Sequence, residues 1–243
     1  MTGTVLILGS GPNAVEAREI DKSWISALVT INNAWAVRDD WDYLVYPDDF
    51  PPDRLPAACH KAQTLIDETD FVPAQNQYGG FVYAGGTMAY TTAYWALHYF
   101  QPRQILFLGC DMHYPSKGPT HFYGTGTPDP LRNDITLTSL EASSARFFCL
   151  AYQQGCVSYN LSRSASRLLF PRAEFDSSGT LHTQPHTEPD RDKLLQALRY
   201  EDELGYMVEN GRYWESDIPF DRDALIALDR QWLAASPFDF RLA

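Results

Sequence analysis

Short, unbroken apolar runs that each stop at a glycine, proline or asparagine constrain this chain most. Val5–Leu8 ends in Gly-Ser-Gly-Pro, Leu28–Ile31 in Asn-Asn, Tyr43–Tyr46 at Pro47 and Ile105–Leu108 at Gly109. A strand with one wet face alternates apolar and polar residues, whereas these runs do not alternate. They are therefore buried on both faces, as in a parallel sheet covered above and below. Between them lie segments with helical character: Ala14–Lys22, Thr87–Phe100 and Leu140–Gln153, the last followed by Gly155 and a further strand at Val157–Asn160. Asn13 is the expected cap of the first helix, with Glu16 in capping-box spacing. A weaker fourth strand is expected around Phe71–Val72. Strands alternating with helices predict an α/β fold, a three-layer sandwich with a Rossmann-like, mostly parallel sheet.

The chain has 243 residues and 44% hydrophobic content, with 13 Phe, 14 Tyr and 6 Trp, enough for a substantial core. Residues 1–173 read as the α/β domain. Residues 174–243 read as an acidic helical extension. In it, a polar, mobile stretch from Phe175 to Pro185 precedes amphipathic helices at Asp190–Leu204 and Asp221–Ala234, which either pack on the sheet or form an oligomer contact. The segment from Met112 to Asn133, rich in Gly, Pro and Thr, is too long for a simple connection and reads as a lid. The net charge of −12 argues against a nucleic-acid partner, because phosphate backbones need a basic surface. No apolar run approaches the ~18 residues that span a bilayer. No leader-like start precedes Val5, so a cytoplasmic location is expected. The scattered cysteines, Cys59, Cys110, Cys149 and Cys156, read as reduced, mostly buried thiols, and no metal site is assigned.

Ligands of parallel sheets bind where the carboxyl ends of the strands open. The residues that follow the strands are Gly9, Ser10 and Gly11; Asn32 and Asn33; Asp48 and Asp49; and Gly109, Asp111, His113 and Tyr114. Gly86 and Thr87 stand before the long helix. The first turn lacks the Lys-Ser/Thr of a phosphate-binding loop and the third glycine of a dinucleotide fold. It reads either as a tight strand-to-helix turn or as backbone N–H groups that receive an anion. On the second reading, Gly11→Val abolishes ligand binding and leaves the fold intact. Asp48 and Asp49 read either as a cation pair or as a solvated turn. His98 is assigned to the core of the apolar helix. His182 and His186 are assigned to solvent.

Taken in order, "VLILGSGPNAVE", "TINNAW", "YLVYPDDF", "AGGTMAY" and "ILFLGCDMHY" resemble the bacterial sialyltransferases of glycosyltransferase family 42. The likeness covers Met1 to about Arg172. The flagellin-accessory and pterin pyrophosphokinase group, with a similar GSGP start, shares much of the first half. The resemblance implies transfer of sialic acid or a related nonulosonate from a CMP-sugar to a carbohydrate acceptor, with no cofactor required. It implies that Gly9, Ser10, Gly11 and Asn32 line the phosphate and ribose, and that Gly86 and Thr87 approach the cytidine or donor. Gly109 and Asp111 would form the floor, and Tyr114 and Tyr123 would offer hydroxyls to the departing phosphate. The family's histidine ahead of the post-lid helix is missing from "LRNDITLTSLEA", which leaves His121 or His113 as the base and Asp134 as the next candidate. Three alternatives stay open: a Mg²⁺-dependent pyrophosphokinase-like enzyme using Asp48, Asp49 and Asp111, a transferase of another nucleotide sugar, and a non-catalytic binding module. A homo-oligomer is compatible with each.

Overall fold

A computed structural model describes residues 3–115, 117–126 and 132–238. Six strands form one sheet: β1 Thr4–Leu8, β2 Ala27–Ile31, β3 Tyr43–Val45, β4 Thr64–Ile66, β5 Gln104–Leu108 and β6 Val157–Asn160. Their order is β4-β3-β2-β1-β5-β6, and every neighbouring pair is parallel. Six α-helices accompany them: α1 Glu68–Asn76, α2 Phe81–Ala84, α3 Met88–Phe100, α4 Leu140–Gln153, α5 Arg191–Leu204 and α6 Arg222–Ala235. The α/β sandwich expected from the buried runs is the observed fold.

The period-2 geometry of the strands divides the core in two. Val5, Ile7, Val29, Ile105 and Phe107 point into a core shared with α1–α6. Leu6, Leu8, Leu28, Leu44, Leu106 and Leu108 point to the opposite face. That face is covered by short 3₁₀ segments, Pro12–Glu19 and Asn32–Val37, and by an antiparallel hairpin, β7 Ala173–Phe175 with β8 Leu181–Thr183. The expected helix at Ala14–Lys22 is therefore a 3₁₀ segment. Its buried residues, Ala14 and Ala17, are three apart, the spacing that eclipses on a 3₁₀ turn. Asn13 does not cap it, because its side-chain amide donates to Asp111 and Ser162 instead.

Four other expectations change. Phe71 and Val72 lie in α1, not in a strand, because Asp67 and Asp70 form a capping box that starts a helix there. The fourth strand is Thr64–Ile66, an edge strand with only Ile66 buried. The hairpin replaces part of the polar stretch and packs Phe175 against Trp24 at 5.2 Å between ring centroids. His98 is exposed near the end of α3. His186 is not solvated: its ring stacks on Phe148 at 4.9 Å and on Tyr152 at 5.3 Å.

The boundaries of α5 and α6 follow their caps, Asp190 and Asp221. Both helices bury their apolar faces in the same core as the sheet, through Leu194, Ala197, Leu225, Leu228 and Trp232. A buried ion pair joins α4 to α5: Arg146 donates to both carboxylate oxygens of Glu201 at 2.7 and 2.8 Å. The same arginine donates to Tyr94 Oη at 2.7 Å, and Trp232 Nε1 donates to Glu201 at 2.7 Å. Among the described residues, no helix is long and apolar enough to cross a membrane. All four cysteines are free, with Cys59 exposed and the others buried. Burial pushes the thiols of Cys149 and Cys156 up to about 12, which keeps them protonated and unreactive.

Candidate functional site

The chain runs outward from β1 through β2 and β3 to β4, then crosses back to β5 on the other side of β1. The point of reversal between β1 and β5 is where open α/β sheets hold ligands. A cleft of about 600 Å³ opens there, at the carboxyl ends of β1, β2, β3 and β5. Gly9, Ser10, Gly11, Gly109 and Asp111 line its floor, Asn32 and Thr87 its sides. His113, Tyr114, His121 and Tyr123 line the part formed by the lid. Gly86 stands apart from this lining. Its N–H donates to Thr136 Oγ1 at 3.1 Å, and a Cβ there would lie 2.5 Å from that oxygen. Gly86 thus serves the packing of the segment before α4.

Two amides of the first turn are already engaged. Gly9 N–H donates to Leu108 O and Gly11 N–H to Gly109 O, each at 2.8 Å. Ser10 Oγ donates to Ile31 O at 3.2 Å. Two strand-end turns are pressed together, and their glycines allow it. A Cβ on Gly9 would lie 2.4 Å from Gly109 O, and one on Gly11 2.8 Å from the same atom. Gly11→Val therefore disturbs the fold, contrary to the expectation from sequence.

Asp111 is a hub. It is 8% exposed and accepts from Asn13 Nδ2 at 2.9 Å, Ser162 Oγ at 2.6 Å and Asn160 Nδ2 at 3.4 Å. These neutral donors tie the Asp111 carboxylate, and with it the first turn, to the end of β6. Asn32 and Met112 both line the cleft with left-handed backbones, φ 52° and 50°. Among the described residues only one other non-glycine has a positive φ, Gln101 at the end of α3. Such strain gathers at ligand sites. The buried Asn32 Oδ1 lacks a hydrogen-bond donor.

Within the expected lid, Ser116 and residues 127–131 lie outside the described residues. The rest folds back over the floor. His121 and Gly124 exchange backbone hydrogen bonds at 2.9 and 3.1 Å, and Phe122 N–H donates to Ser10 O at 3.0 Å. His121 Nδ1 lies 2.9 Å from Thr120 Oγ1, which also accepts from Gly126 N–H at 2.9 Å. The imidazole stacks on Tyr123 at 4.9 Å between centroids and faces Tyr114 at 6.3 Å. Burial lowers its pKa below the ordinary histidine value, so the neutral base form prevails at neutral pH. His113 is exposed.

Asp134 is not a free base. It accepts from Thr136 N–H and Oγ1 at 2.8 and 2.7 Å, from Arg132 Nε at 3.1 Å and from Tyr213 Oη at 2.7 Å. Asp49 lines the cleft. Among the described residues no three His, Cys, Asp or Glu side chains come together as a metal set.

Sequence reasoning missed four residues. Asn160 and Ser162 follow β6, and the strand-end rule applied there finds them. Thr120 adjoins His121 and carries no signal of its own. Arg54, after β3, is the sole Lys or Arg among the described residues lining the cleft. Comparison with protein-family models, with curated proteins and with solved structures found no match to this chain.

Proposed function

We propose that the cleft binds a nucleotide sugar and transfers the sugar to an acceptor hydroxyl. The donor we favour is a CMP-linked sialic acid or related nonulosonate. The observation that carries the reading is the gathering of His113, Tyr114, His121 and Tyr123 over a cleft of about 600 Å³ at the strand-order reversal. That volume lies within the roughly 300–1,000 Å³ typical of small-molecule sites. The ordered motifs that resemble those of family 42 supply the choice of donor.

In this scheme Thr120 Oγ1 accepts from His121 Nδ1–H and leaves Nε2 as the base. Nε2 takes the proton of the acceptor hydroxyl, whose oxygen bonds to the anomeric carbon of the donor. The bond from that carbon to the phosphate oxygen breaks, and its electron pair leaves with CMP. Tyrosine hydroxyls donate to the departing phosphate and stabilise its growing charge. Turnover of CMP-sialic acid with a panel of carbohydrate acceptors, read as CMP release, tests the reading. No release with any acceptor, together with no binding of CMP, refutes it.

A second reading keeps one specific support. Asp49 and Asp111 line the same cleft, as a Mg²⁺-dependent pyrophosphokinase-like enzyme requires. Activity that needs ATP, is lost in EDTA and returns with Mg²⁺ moves the assignment there.

A further inference from the structure

We infer that Arg54 is the residue through which the cleft recognises an anionic group, a phosphate or a carboxylate, on its ligand. The inference deepens the nucleotide-sugar reading and rests on it for the identity of the ligand.

Three observations lead to Arg54. Two of the backbone amides that sequence offered for an anion are engaged, Gly9 with Leu108 O and Gly11 with Gly109 O. The Ser10 hydroxyl is engaged with Ile31 O. An anion entering this cleft therefore finds an incomplete amide cradle, and a side-chain cation adds the charge that the cradle lacks. In a chain of net charge −12, the cleft also carries Asp49 and Asp111, so an anion meets repulsion unless a cation stands nearby. Arg54 is the one Lys or Arg among the described lining residues.

Arg54 is also uncommitted. Arg38, Arg132, Arg146, Arg163, Arg167 and Arg212 each pair with a carboxylate. Among the described residues Arg54 pairs with none, although Asp49 and Asp53 are close in sequence. Its backbone, in contrast, is fixed. Its N–H donates to Pro51 O at 2.9 Å, and its carbonyl accepts from Trp35 Nε1 at 3.0 Å. Trp35 sits in the 3₁₀ segment that begins at Asn32, so this bond joins the loops after β2 and β3 into one wall. Pro51 and Pro52 stiffen the approach. A planar guanidinium on a fixed wall suits the two-oxygen face of a phosphate or carboxylate.

The test is calorimetric titration of the full chain and of Arg54→Gln, with cytidine, CMP, CMP-sialic acid, inorganic pyrophosphate and free N-acetylneuraminate. Arg54 makes its protein contacts through its backbone, so Arg54→Gln should fold, and an unchanged melting temperature checks this. The expected result is a loss of about 10- to 100-fold in affinity for anionic probes, the worth of a charge-assisted pair, with cytidine unaffected. Loss for CMP and CMP-sialic acid alike assigns Arg54 to the phosphate. Loss for CMP-sialic acid and N-acetylneuraminate, with CMP unchanged, assigns it to the carboxylate. Arg54→Lys should recover part of the affinity. Equal affinity of wild type and Arg54→Gln for every anionic probe overturns the inference while leaving nucleotide-sugar binding in place. Arg54-dependent binding of pyrophosphate or N-acetylneuraminate, with no binding of any cytidine compound, sustains the anion site and refutes the nucleotide-sugar reading. Binding of no probe by wild type overturns both.

Discussion

Gly109→Ala tests whether the glycines at the strand-order reversal are structural. Gly109 has φ +71°, and a Cβ there would lie 2.6 Å from Gly9 O and 3.0 Å from Ala14 Cβ. Both neighbours are buried strand-end or 3₁₀ positions that cannot rotate away. The left-handed backbone costs about 1–2 kcal/mol with a side chain, and the added methyl about 1–3 kcal/mol of overpacking. For a chain of this size each kcal/mol lowers the melting temperature by roughly 2–4 °C. The sum predicts a fall of about 4–20 °C in thermal denaturation followed by circular dichroism. Gly205→Ala is the control. Gly205 caps α5 at φ +63°, with nothing within 4 Å of a Cβ. It carries the backbone strain without the clash. If Gly109→Ala melts no lower than Gly205→Ala, the close approach of the two turns is not a constraint and the amides of the first turn are free to serve a ligand.

The other predictions concern the buried charges and the lid. Arg146→Met should cost about 3–5 kcal/mol in urea unfolding, because Glu201 is left buried without its partner; replacing Glu201 by Leu as well should recover much of that loss. Asp229, pushed up to about 6 by burial against α4, binds its proton more tightly folded than unfolded. The folded chain therefore gains stability from that proton at low pH and loses it as pH rises through about 6. Asp229→Asn should stabilise the protein at pH 8 by about 1–3 kcal/mol and flatten that part of the pH profile. On the proposed mechanism, His121→Ala lowers kcat by roughly 10²–10⁴ with little change in CMP affinity. Thr120→Val, which removes the acceptor beside Nδ1, should lower kcat less and shift the pH–rate profile; wild-type turnover in both variants refutes His121 as the base.

The parts of the fold that were legible are those whose burial is local in sequence. β1, β2 and β5 are continuous apolar runs because both of their faces are covered, and no other local structure explains them. α4 and β6 follow from the Leu140–Gln153 pattern and the Gly155 stop. β4 was hidden because an edge strand of three residues, two of them exposed, has no apolar signature. The 3₁₀ layer was hidden because alanines three apart resemble a short helix. The surroundings of His186 were hidden because the neighbours of Pro185 are polar, while the rings that stack on it come from α4 and the ring that meets it edge-on comes from β6, far away in sequence. The cleft was legible as a set of strand ends. Which atoms in it were free was not, since that depends on pairings between turns about a hundred residues apart.

This last point changes what a glycine-rich turn means here. Glycines after a strand signal close approach of something to the backbone, and in this chain the thing that approaches is the turn after β5. The cleft lies above the joined turns, and Phe122 N–H fixes the lid to them through Ser10 O. A phosphate held by backbone amides is bound by groups that do not titrate. A ligand anion above this floor instead meets Arg54, His113, His121 and the tyrosine hydroxyls. Its affinity should then fall with added salt, by screening of the arginine. Titrating CMP into the protein at two salt concentrations checks this. Affinity insensitive to salt would take Arg54 out of the contact and leave the anion to backbone amides of the floor.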